Sequence, residues 1–269
     1  MTSGKQSKAQ RRAEMQQRAA ERRAAERRKK FTRQGLMAGA GVVVIVVVVL
    51  VIKLVTGTST PGAPPSQKDP HVPVSVIPAS LHMTTATFGS AGPETIPLAK
   101  GTKLATLIDA ATGNTIDGVQ CQTDEQTLTH VHTHLTIFVN GQQRVIPYGI
   151  GIPGFEAEQT PEGPFVVTGS CFYWLHTHAT DGIIHIESPS LTEHFTLGQF
   201  FAEWGIPLSR TQVGPATGTV TAFFTSPGKK PGIYQGDPAD LPLGDHYQIQ
   251  LDVGTPVVAP EQITNWGSL

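Results

Sequence analysis

Cysteine is scarce in this sequence: Cys121 and Cys171 are the only two in 269 residues. No CxxC pair exists. CxxCH for haem attachment, HExxH, a Gly-rich phosphate loop and a Ser/His/Asp signature are also missing, so there is no haem or nucleotide signal. Methionine is scarce too, with four residues, which speaks against a Met-rich Cu(I) carrier. Charge is sparse at 15%, while glycine (28) and proline (21) are plentiful. That balance excludes a coiled coil or long-helix protein as a whole and favours turns and short strands.

The net charge of −1 hides a segregation. Residues 1–34 carry twelve Lys/Arg against three Asp/Glu, whereas residues 57–269 carry seven against eighteen. The acidic part has no basic face for nucleic acid, so no nucleic-acid partner is expected for it. Between the two lies GLMAGAGVVVIVVVVLVI, Gly35 to Ile52, without a charge. About 20 helical residues span a hydrocarbon core of ~30 Å, so residues 35–56 read as a transmembrane helix, with Lys53 snorkelling at one end. Arg27, Arg28, Lys29, Lys30 and Arg33 precede it, so the N-terminus is expected in the cytoplasm and the rest outside, in a single pass of the plasma membrane. A cleaved signal peptide is the alternative. The run is long for one, and no small-x-small site follows it.

The tail 1–34 is rich in Ala, Glu, Gln and Arg and reads as a basic helix drawn to anionic lipid headgroups. RNA binding by this tail is the weaker alternative. Residues 57–73 form a Pro/Gly/Ser/Thr linker. The exported domain then runs over 74–269, best defined over 115–260.

That domain reads as mainly β, a sandwich or partly open barrel with one short helix. Leu128 to Tyr148 alternates at period two and meets Asn140-Gly141, a strong hairpin signal. Val131, Leu135, Ile137 and Val139 fall on one face, the expected core face. His130, His132, His134, Thr136 and Phe138 fall on the other. In CFYWLHTHATDGIIHIES, Asp181-Gly182 reads as a two-residue turn. That register sets His178 opposite His185 and His176 opposite Glu187. Phe172 and Trp174 share the parity of His176 and His178 and are expected to wall the site. Thr196-x-x-Gln199 has capping-box form, Phe195 and Phe200 stand at staple positions, and Gly205 can end the helix, so 197–204 reads as helical. Strands are expected over 219–225 and 246–253. Residues 74–120 give little signal.

Two cysteines outside a membrane suggest a disulfide, Cys121–Cys171, worth ~3–4 kcal/mol; thiolate metal ligation is the alternative. All ten histidines lie after residue 70, six of them in three groups: His130-x-His132-x-His134, His176-x-His178 and His185-x-Glu187. Imidazole is the commonest side chain in Zn, Cu, Ni and Fe sites, and His-x-His on a strand sets two rings on one side. His176, His178 and His185 form the natural trio for a transition metal, Zn or Cu. Glu187 is a fourth ligand, a hydrogen-bond acceptor behind the ligands, or a catalytic base. The His130/132/134 ladder either completes that site or makes a second one.

The runs HVHTHLTIFVNG, CFYWLHTHATDGIIHIESP, FTLGQFFAEWG and YQGDPADLPLGDHYQIQLDVGTP resemble an uncharacterised family of bacterial membrane-anchored exported proteins, many of them actinobacterial. The resemblance covers about residues 115–260 and implies export, not a reaction. A narrower similarity is to cupins. Gly236-Asp237…Pro242-x-Gly244-x-His246 is similar to their second metal motif and His176-x-His178 to their first. This implies His246 as the last ligand beside His176 and His178. The spacing before His246 is one residue short, no Glu stands three or four residues after His178 (Asp181 does), and a helix is expected between the motifs.

Three functions follow. The first is a membrane-tethered extracytoplasmic domain that binds Zn or Cu. The second is a metalloenzyme, cupin-like or hydrolytic, on the same histidines, and the third a metal-free envelope interaction module.

Overall fold

The alternating segment around the Asn-Gly turn becomes the centre of one large sheet. The protein is described here by a computed structural model that covers residues 72–107, 110–267 and 269. The basic tail, the apolar run and the linker up to residue 71 lie outside the described residues. Among the described residues no helix is long and apolar enough to cross a membrane.

The sheet has eight strands: β1 (Val74–Ser75), β2 (Thr129–Val139), β3 (Gln142–Arg144), β4 (Leu175–His176), β5 (Ile183–Ser188), β6 (Val220–Thr225), β7 (Gly232–Tyr234) and β8 (Tyr247–Val253). Their order is β1-β7-β6-β8-β2-β5-β4, with β3 paired to β2. Neighbours are antiparallel except β8 and β2, which run parallel. The described residues are thus mainly β with one short helix and no closed barrel. In place of a second large sheet, the described residues form two- and three-stranded ribbons.

The β2–β3 turn is the expected Asn140-Gly141 pair, with φ of 50° and 73°. Positive φ at both positions is what a type I′ turn requires, and Asn and Gly tolerate it best.

One face of the sheet is apolar. Leu135 and Ile137 of β2, Ile184 and Ile186 of β5, Phe224 of β6, and Ile249 and Leu251 of β8 are buried in one cluster. Each such side chain contributes roughly 1.5–3 kcal/mol relative to exposure. Against them packs α1 (Leu197–Trp204), through Leu197, Phe200, Phe201 and Trp204. Its start is the expected capping box: Thr196 accepts from the Gln199 amide, and the Gln199 side chain accepts from the Thr196 amide. Gly205 ends it in the left-handed conformation at φ 76°.

The opposite face, which carries the histidines, is covered as well. The C-terminal segment lies across it, tied down by amide side chains of β8. Gln250 Nε2 donates to Val258 O, Asp252 Oδ1 accepts from Val258 N, and Gln248 Oε1 accepts from Ile263 N. A hairpin-like loop over 89–98 closes the remainder, with Gly89 N donating to Leu98 O and Gly92 N to Ile96 O. Ile96, Ile183 and Ile263 form a second small apolar cluster beneath these segments. Of the histidines on this face, all but His130 therefore stand in a covered, low-dielectric space.

Cys121 and Cys171 form a disulfide across a separation of 50 residues, as expected. The strand Cys121–Gln122 pairs with Phe172–Tyr173, just before β4.

Candidate metal centre

Strand register assembles the site. His185 of β5 stands opposite His132 of β2 on one side and His176 of β4 on the other, and Glu187 stands opposite His130. Directly opposed residues share a face. Three strands therefore bring four imidazoles and one carboxylate to one patch. His178, two residues past His176, adds a fifth ring, 4.9 Å from His176 and 4.6 Å from His185 between centroids.

The register differs from the expected one. His176 faces His185, a slip of two positions from a two-residue Asp181-Gly182 hairpin. The cause lies after β4. Thr177 leaves the sheet to bond the 147–150 loop: its amide donates to Ile150 O, its carbonyl accepts from Gly149 N, and its hydroxyl donates to Pro147 O. The chain needs a longer path back to β5. A slip of two keeps every side chain on its face, so the convergence survives. Gly182, at φ 86°, lies against the Leu135 carbonyl where a Cβ has no room.

Two groups of donor atoms lie within 4.8 Å of one another: His176, His178, His185 and Glu187, all buried, and His130, His132 and His185. Glu187 Oε1 is the hub. It lies 3.1 Å from His130 Nε2, 3.4 Å from His185 Nδ1 and 3.7 Å from His176 Nε2. Donors bound to one tetrahedral ion at ~2.0–2.1 Å stand about 3.3–3.4 Å apart, so these separations bracket the spacing an ion needs.

The rings are also aimed. Nδ1 of His176 donates to Tyr173 O and Nδ1 of His178 to Val166 O, each at 2.7 Å. A carbonyl only accepts, so in both rings the proton sits on Nδ1 and the Nε2 lone pair faces the cluster. Backbone partners of this kind fix tautomer and orientation in metal-binding histidines. Four buried polar atoms here have no hydrogen-bond partner: His132 Nε2, His176 Nε2, His185 Nδ1 and Glu187 Oε2. Leaving a buried polar atom unpaired costs about 1–3 kcal/mol, so this concentration fits a site built for an ion.

Electrostatics agree. Burial, with neighbouring imidazoles second, holds His132 down at about 3 and His176 well below its ordinary value. Burial likewise lowers His178. These rings are neutral, as ligands must be. His185 is the exception. Burial opposes its charge, but the adjacent Glu187 and Glu94 carboxylates outweigh burial and push it up to about 9.

Three participants had no signal in the sequence. Glu94, on the 89–98 loop, accepts a hydrogen bond from Nε2–H of His185 at 2.6 Å. Thr95 beside it holds φ at 67°, a strained value for a threonine. Glu125 reaches over the mouth, its side chain 43% exposed, 3.4 Å from His178 Nε2. Phe165 stacks on His178 at 4.9 Å. A solitary Glu in an uninformative loop looks like any surface acid, so nothing in the sequence could have flagged Glu94 or Glu125. Phe172 does wall the site, 5.7 Å from His176. Trp174 instead packs on Phe195 in the apolar core, because the strand breaks between Tyr173 and Leu175.

Two candidates stay outside both groups. His134 uses both ring nitrogens within the fold, Nε2 toward Asp181 O and Nδ1 toward the Thr136 hydroxyl. Its pKa is lowered by burial to about 4. His246 stacks on Trp266 at 4.6 Å and points Nε2 at Leu269 O. Its backbone amide donates to His132 O.

Comparison with protein-family models, with curated proteins and with solved structures gives no match. What can be said of function comes from these side chains.

Proposed function

We propose that this protein is a membrane-tethered, extracytoplasmic metal-binding domain that holds a transition-metal ion, Zn or Cu, on His176, His178, His185 and Glu187. One observation carries the reading: four buried donors from two strands and a loop converge within 4.8 Å, their rings oriented from behind by Tyr173 O, Val166 O and Glu94. Imidazole and carboxylate donors without thiolate suit Zn(II) or Cu(II). Tethering rests on the uncharged run within 35–56 and the basic residues before it, which also make the lipid bilayer and its anionic headgroups the first partners.

The test is retention of metal. Full-length protein in detergent is stripped with chelator, loaded with Zn(II) or Cu(II), dialysed and analysed for metal. At least one ion per chain is expected to remain, and a His176→Ala/His178→Ala double variant is expected to lose it. No retained metal contradicts the proposal.

A metalloenzyme is the second reading, and Glu125 is what favours it. Burial first and Glu187 second raise its pKa, and it stands half-exposed at the mouth. A raised carboxylate at such a mouth suits a general base for water. Glu187, enclosed by imidazoles, fits a ligand better than a base.

A further inference from the structure

We propose that the centre is dinuclear: a second ion lies on His130 and His132, bridged to the first by the Glu187 carboxylate. This rests on the metal-binding reading above and goes beyond it.

Donor supply is the first reason. One Zn or Cu ion in a four-coordinate site uses four donors, and His176, His178, His185 and Glu187 already provide them. His130 and His132 remain. They form a second group with His185, again within 4.8 Å.

The second reason is a contrast within one strand. His132 and His134 lie two residues apart on the same face of β2, and both are buried. His134 has a partner for each ring nitrogen. His132 leaves Nε2 buried with none. A histidine serving only the fold is satisfied as His134 is, whereas the bare Nε2 of His132 marks a ligand position.

Third, Glu187 is set between the groups. Its Oε1 reaches His130 at 3.1 Å on one side and His176 at 3.7 Å on the other, and its Oε2 has no hydrogen-bond partner. Carboxylates with one oxygen for each ion are a feature of two-metal sites, where the ions stand ~3.5–4 Å apart. His185 can supply only Nδ1, since Nε2 is held by Glu94, so the carboxylate is the bridge.

Charge is the fourth reason. Glu94, Glu125, Asp181 and Glu187 crowd this region, and among the described residues every ion pair that Glu94, Glu125 and Glu187 make is to a histidine. Asp181 is enclosed as well, its Oδ1 accepting from the Ile183 amide. One divalent ion leaves an excess of negative charge among the Glu94, Glu125 and Glu187 carboxylates, and a second ion offsets it. The second ion would be the more open one, because the His130 side chain is 43% exposed.

The test counts ions. Full-length protein in detergent is loaded with Zn(II), freed of excess by gel filtration and analysed for zinc per chain. Two are expected. His132→Gln is expected to hold one, with circular dichroism and melting temperature showing that it is folded. Co(II)-loaded protein is expected to show magnetic coupling between two ions, a signature that adventitious surface binding does not produce. One zinc per wild-type chain overturns the dinuclear centre and leaves the mononuclear reading standing. Zero overturns both. Two zincs in folded His132→Gln, or two uncoupled Co(II) ions, place the second ion elsewhere and also overturn the proposal.

Discussion

Oε1 of Glu94 lies 2.6 Å from Nε2 of His185, 91 residues further along the chain. The contact decides which nitrogen of His185 faces the cluster. With Nε2–H held by the carboxylate, Nδ1 is left to point at Glu187. Carboxylates behind a metal-binding histidine orient it and raise its basicity. Glu94→Gln keeps the size and an accepting oxygen but removes the charge. Metal affinity is expected to fall by roughly 10–100-fold while the fold is kept. Competition with a chromophoric chelator measures this, and unchanged affinity would mean that Glu94 does not support the site.

Metal uptake should release a proton. Burial opposes the charge of His185, but the adjacent Glu187 and Glu94 carboxylates outweigh it and raise His185 to about 9, so at pH 7 it is an imidazolium in the ion-free protein. An ion on Nδ1 must displace one proton, and apparent affinity should rise about tenfold per pH unit between roughly 7 and 9. Calorimetry in buffers of different ionisation enthalpy gives the count. Uptake without proton release would mean that His185 is not a ligand.

Glu203 provides a test away from the site. It is buried on α1, and neither carboxylate oxygen has a hydrogen-bond partner. Burial raises its pKa well above the ordinary value. The folded state therefore binds the proton more tightly than the unfolded state. The associated stability is present below the unfolded pKa and is lost as pH rises toward the folded one. Glu203→Gln removes that loss. Its melting temperature relative to wild type should be higher at pH 9 than at pH 5, and a difference that does not change with pH would contradict the buried neutral carboxyl.

The disulfide anchors the strand leading to His176. Closing a loop of 50 residues is worth about 4 kcal/mol in the chain-entropy model. Cys121→Ser/Cys171→Ser should lose stability of that order in denaturant melts. It should still bind metal while folded, because neither cysteine belongs to a donor group. Loss of the metal from the folded variant would restore thiolate ligation.

Much of this molecule was legible from local pattern. The capping box at Thr196, the Asn140-Gly141 turn and the period-two run of β2 are short-range signals, and each lands where expected. The partners of the His-bearing strands are not local. The tethering of Thr177 to the 147–150 loop moved the register by two positions, a long-range effect with no trace in CFYWLHTHATDG. Period two still set which residues share a face, so His130, His132, His176, His185 and Glu187 came together despite the wrong pairing. His134 shared the parity but lies beside Asp181 O, beyond the cluster. Burial of the histidine face depended on the Gln248 and Gln250 side chains capturing the C-terminal segment, which residue pattern does not announce.

X-ray absorption at the zinc edge of loaded full-length protein tests the central claim most directly. A shell of nitrogen and oxygen donors at ~2.0–2.1 Å, with the multiple scattering of two or more imidazoles, is the predicted result. A shell of oxygens alone, or one containing sulfur at ~2.3 Å, would contradict it.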